Sequence, residues 1–158
     1  MTTVLEIFDR SFAELHSRSK SLLQITKDDE LFRKPREVPN TTAMFSIGEY
    51  LLRSAGSVEQ VFGGITTRLW DDPFEWTLPE ELNNVRRVRE YVEEVDETRR
   101  RGFAFLTSDD DLVKLIPAPE NLRPIAELLM EAFGRATHYQ GRAYCVFQML
   151  SDQKIPRL

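Results

Sequence analysis

The 158-residue sequence has a single cysteine, Cys145. One cysteine allows no intrachain disulfide and no zinc site built on cysteine ligands. Cys145 reads as a small buried apolar residue. An excess of basic charge is missing too. Lys and Arg number 21 against 26 Asp and Glu, for a formal net charge of −5. A chain of that sign without a basic tail is a poor match for a phosphate backbone, so no nucleic-acid partner is expected. No apolar run approaches the roughly 20 residues that span a bilayer. The start, "MTTVLEIFDR", has neither the basic stretch nor the apolar run of a signal peptide. The expectation is a cytoplasmic protein with no membrane partner.

What is present is helical periodicity. Hydrophobic residues make up 41% of the chain, which suits one domain over residues 1–158. Four long segments repeat apolar residues at helical spacing. The first runs from about Thr3 to Ile25, capped by Thr2 or Thr3 with Glu6 closing a capping box. The second runs from about Ser46 to Leu69. Its interior glycines (Gly48, Gly56, Gly63, Gly64) suit a close neighbour or a kink near Gly63 and Gly64. The third is expected to start at Thr77, with Pro79 in its first turn, and to reach Leu106. One face of it pairs Arg86 with Glu90, Arg89 with Glu93 and Glu97 with Arg101, so it reads as solvated. The fourth runs from near Asn121 to about Ser151, with Pro124 in its first turn.

The connections carry little chemistry. "KDDELFRKPREVPNTT" holds Pro35 and Pro39 and reads as an extended crossover loop. "SDDDLVKLIP" reads as a short helix capped by Ser108, its aspartates stabilised by the helix dipole. It lacks the spaced ligands, turn glycine and distal glutamate of a calcium loop. Trp70, Phe74 and Trp76 read as a hydrophobic plug over one end. His16 reads as a helix-face histidine. Four amphipathic helices without strand-period segments give an all-α fold. It is a four-helix bundle with a long crossover loop after the first helix.

The stretch "ATHYQGRAYCVFQML" (136–150) raises the question of a metal site, because catalytic helices often carry two ligands at i and i+4. Cys145 and His138 do not make a nucleophile pair. Seven residues along one helix separate them by roughly 10 Å.

Together, "SIGEYLLRSAG" (46–56) and "EAFGRATHYQGRAYCVFQML" (131–150) resemble the DinB/YfiT-like superfamily. "FEWTLPE" and the order of helices and loops fit as well. The resemblance implies a four-helix bundle in which three histidines hold a divalent metal, commonly zinc or nickel. One histidine follows a Gly-Glu pair on the second helix. The other two belong to a His-x-x-x-His-Arg-Gly-Gln run on the last. Here Gly48-Glu49 matches the pair and puts Arg53 at the first ligand position. Tyr139-Gln140-Gly141-Arg142 matches the run, which puts Arg135 and Tyr139 at the other two. His138 falls beside a ligand position and Arg142 follows one turn later. All three implied ligands are therefore replaced. Arginine has no lone pair to offer, and two guanidinium groups repel a cation. No metal and no cofactor are expected.

Arg53 and Arg135 are expected either to pair with carboxylates or to extend to solvent. Alternatively, with Tyr139, they form a pocket for a small carboxylate or phosphate. The function implied is a non-catalytic binding or interaction module, and a homodimer, as family members often are. The competing reading is a metal-dependent enzyme of the DinB/YfiT type, a thiol-S-transferase or hydrolase using other ligands.

Overall fold

The computed structural model describes residues 3–37, 39–73 and 77–157. Its long helices are α1 (Val4–Ile25), α3 (Ile47–Thr67), α4 (Val85–Phe105) and α6 (Ile125–Leu150). Two one-turn helices lie between them, α2 (Asp28–Leu31) and α5 (Asp109–Leu112). A hairpin of β1 (Leu115–Pro117) and β2 (Leu122–Pro124) precedes α6, with Ile116 opposite Arg123. The architecture is all-α apart from this ribbon.

Helix starts follow side-chain chemistry. Thr3 Oγ1 accepts from Glu6 N at 3.1 Å, and the Glu6 carboxylate accepts from Thr3 N at 3.0 Å. Ser46 and Glu49 repeat that reciprocal box at α3. Each satisfies amides that have no partner within the helix. Two further caps come from distant segments. Asp109 on α5 accepts from Val4 N and Leu5 N at 3.0 and 2.9 Å. Asp28 on α2 accepts from Val85 N at 2.8 Å.

The third long helix starts later than its sequence suggests. Thr77 is not its cap; Thr77 Oγ1 donates to Pro73 O at 2.8 Å, and Leu78–Leu82 close a turn. Asn84 is the cap, accepting from Arg87 N at 3.0 Å. The last helix also starts late, because Leu122–Pro124 pair with Leu115–Pro117. Pro124 is therefore at the cap position, not in the first turn. Its ring disfavours helical geometry at Arg123, which leaves that residue free for the strand. Phe74 and Trp76, expected in the hydrophobic plug, lie outside the described residues, as does Thr2.

α3 packs most extensively on α6 and next on α4, while α1 closes the ring against α4 and α6. α1 and α3, consecutive among the long helices, therefore sit on a diagonal, and the 26–46 segment must cross the bundle's end. Each long helix sends one phenylalanine to the centre: Phe12, Phe62, Phe103 and Phe133. Phe12 meets Phe62 and Phe133 edge-on, with centroids 5.5 and 5.3 Å apart, and Phe62 lies 5.0 Å from Phe103. Such pairs add about 0.5–1.5 kcal/mol each beyond area burial. α3 runs unbroken through Gly63 and Gly64. A Cβ on Gly64 would lie 2.5 Å from the Trp70 ring, so this glycine admits the indole against the helix. Arg68 ends α3 in the left-handed region at φ 62°, and its guanidinium donates to Ile65 O.

Candidate functional site

A polar groove follows the α3–α6 contact. Two adjoining cavities lie along it, of about 220 and 270 Å³. Ser57, Gln60 and Arg135 line both. The larger is completed by Gly56, Asp72, Pro73 and Tyr139. The smaller is walled by Trp70, Val61, Leu128 and Ala132, with Arg123 and Glu131 at its edge. Helical spacing explains the convergence. Positions 53, 56, 57 and 60 share one stripe of α3, and 128, 131, 132, 135 and 139 share one stripe of α6.

The structure brings two of the three sequence candidates together. Arg135 and Tyr139 line the larger cavity. Arg53, half-buried on the same stripe of α3, is not part of either lining; its guanidinium lies 4.2 Å over the Phe45 ring. Phe45 meets Tyr50 edge-on at 5.5 Å, and Tyr50 stacks on Tyr139 at 6.4 Å. A ladder of rings thus joins Arg53 to Tyr139. Arg142 donates to His138 Nε2 at 3.0 Å and to the Tyr50 hydroxyl at 3.4 Å. His138 meets Tyr139 edge-on at 5.7 Å, so both residues flank the Tyr50–Tyr139 step of this ladder, and neither lines a cavity.

Arg135 donates to Glu131 Oε1 at 2.6 Å. Glu131 Oε2 accepts from Arg123 at 2.6 Å, and Arg123 also donates to Glu127. The hydrogen bond from Arg123 holds the Glu131 carboxyl below the usual carboxylate range, so it is ionised near neutrality. Sequence reasoning missed Arg123 and Glu131. The signal was there in Arg123, Glu127, Glu131 and Arg135, four charges at four-residue intervals on one helix face.

The remaining candidates resolve into structure. Glu49, half of the quoted Gly-Glu pair, is committed to the α3 cap. Two aspartates of "SDDDL" are caps as well. Asp109 serves α1, and Asp111 accepts from Thr107 N, Thr107 Oγ1 and Ser108 N while pairing with Lys114. His16 is half-buried between α1 and α4, with Nε2 3.4 Å from Glu93 and 3.9 Å from Asp96. Burial lowers its pKa against the pull of Asp96 and Glu93. Trp70 Nε1 donates to Pro117 O at 3.0 Å, tying the 68–73 loop to the hairpin. Cys145 overturns its expectation. It is exposed, because its place on α6 falls between the buried Tyr144 and Val146 on the side facing away from the core.

The donor chemistry does not fit a metal at Arg53, Arg135 and Tyr139, since two of the three side chains are permanent cations without lone pairs. Among the described residues, no group of three or more His, Cys, Asp or Glu side chains is placed to hold a metal ion. No described helix is long and apolar enough to cross a membrane.

No family model and no curated protein matches the chain. Among solved structures, it is similar to a DinB-like protein from Bacillus cereus, with a TM-score of 0.75 at 12% sequence identity. The likeness covers 96% of this chain and 95% of that one. With nearly full mutual coverage, this chain has the fold of that DinB-like protein.

Proposed function

We propose that the chain is a non-catalytic binding module that uses the DinB-like fold without the metal chemistry the resemblance implies. Its ligand is a small anion held in the α3–α6 groove. One observation carries this reading. Arg135 stands where two cavities meet, beside Tyr139, Ser57 and Gln60. A guanidinium recognises a carboxylate or phosphate through two parallel hydrogen bonds, and hydroxyl and amide groups can complete the shell. Arg53 contributes positive potential from one turn away, held by Phe45. In this reading, fixed cations replace the charge that a bound ion supplies elsewhere in the family.

The proposal includes a cytoplasmic location and a homodimer. Leu115 and Leu122 support an apolar contact between copies. They are exposed and on one face of the hairpin.

Thermal unfolding in increasing phosphate or citrate tests the reading at constant ionic strength. A ligand that binds only the folded state raises Tm with concentration. The rise is expected for the unaltered chain, reduced in Arg53→Ala and lost in Arg135→Ala. If both variants keep the full rise, the anion groove is wrong.

A further inference from the structure

We infer that Glu131 is a built-in competitor for the groove's ligand. Its carboxylate occupies the place that a carboxylate on a small apolar body takes when it binds. The inference rests on the anion reading above and names the class of ligand.

Both oxygens of Glu131 are engaged, each by a different guanidinium at 2.6 Å: Oε1 by Arg135 and Oε2 by Arg123. That is how two arginines hold a bound carboxylate, and here the carboxylate is tethered to α6. The cluster lies at the edge of the 220 Å³ cavity, whose wall includes Trp70, Val61 and Leu128. The chain's own side chain supplies the charged group but leaves the apolar wall unfilled.

The exchange is cheap. Glu131 and Arg135 are both 45% exposed, and ion pairs in that setting contribute little. Replacing a tethered carboxylate with a free one changes the electrostatics little. Placing an apolar group against Trp70 and Leu128 then supplies the driving force. A bare anion gains nothing from that wall, so the groove favours an aliphatic or aromatic carboxylate.

Calorimetric titration with benzoate and with acetate tests this on the unaltered chain, Glu131→Gln and Glu127→Gln. Glu131 is exposed, so the isosteric amide keeps the fold. Glu127→Gln removes the same charge from a residue that bonds Arg123 but does not line the cavity. The unaltered chain should bind benzoate more tightly than acetate. Glu131→Gln should tighten benzoate about fivefold, since it removes the charge from two weak, partly exposed ion pairs. Glu127→Gln should stay within about twofold, the residual effect of net charge. If the unaltered chain binds benzoate but Glu131→Gln is no tighter, or gains only what Glu127→Gln gains, the competitor is refuted and the anion groove stands. If neither the unaltered chain nor Glu131→Gln binds either carboxylate, both ideas fall.

Discussion

The Phe62 ring lies directly over Gly102, so that a Cβ there would overlap the ring. This contact sets the distance between α3 and α4 at the level of the phenylalanine cluster. Alanine at position 102 would gain about 1 kcal/mol of helix propensity. It would also push Phe62 out of a cluster shared with Phe12 and Phe103, and overpacking of that kind costs about 1–3 kcal/mol. Gly102→Ala is therefore expected to destabilise by about 1 kcal/mol in urea unfolding. A stabilised variant would show that the ring moves freely.

Gln140 ties α6 to α1 from inside the bundle. Its buried Nε2 donates to Leu15 O at 2.6 Å and to Ser19 Oγ at 2.8 Å. Gln140→Ala removes a donor serving two buried oxygens and leaves a void. The expected loss is about 1–3 kcal/mol, read as a lower urea midpoint with an unchanged slope.

His16 makes stability depend on pH. Its folded pKa is lowered from 6.5, first by burial; Asp96 and Glu93 oppose the shift, while Lys20 and Arg99 reinforce it. The unfolded chain therefore binds the proton more readily than the folded chain. Stability from this group is complete above about pH 6.5 and declines as pH falls toward the folded value. Unfolding midpoints measured from pH 7 downward should fall for the unaltered chain, and less steeply for His16→Gln. Equal slopes would remove His16 from the account.

Elemental analysis of untagged protein after incubation with zinc and then nickel should find neither in stoichiometric amount. A one-to-one metal would favour the competing reading of a metal-dependent enzyme and overturn the reading of Arg53, Arg135 and Tyr139.

Asp109→Ala should lower stability by about 1 kcal/mol or somewhat more, the usual cost of an N-terminal cap. It removes the acceptor for two α1 amides at once. Amide exchange at Val4 and Leu5 should accelerate while exchange in the middle of α1 stays slow.

The four long helices were legible because their apolar spacing is strong and their ends are marked. Thr3 and Glu6 cap α1 as the sequence implies. The starts of α4 and α6 were misplaced for one reason. Thr77 and Asn121 look like caps locally, but Thr77 is held by Pro73, and Asn121 O accepts from Ala118 N in the hairpin. Local propensity cannot register such contacts. Arg135 and Tyr139 could be paired from helical spacing alone. The departure of Arg53 could not, because it depends on Phe45, which precedes the helix. The Arg123–Glu131 pairing is readable from spacing, but at eight residues it lies beyond the i, i+4 pairs that a single helical turn brings together. The exposure of Cys145 depends on which flank of α6 faces α3, which periodicity on a mostly apolar helix does not fix.

The cap that Asp109 provides also bears on how the chain comes off the ribosome. Val4 N lies 105 residues ahead of the carboxylate that satisfies it. α1 is made before the other three long helices, and its local box of Thr3 and Glu6 can form at once. Two of its leading amides must wait until α5 has been made and docked. The first turn of α1 therefore lacks part of its capping until α5 is in place, and it tightens as the bundle closes.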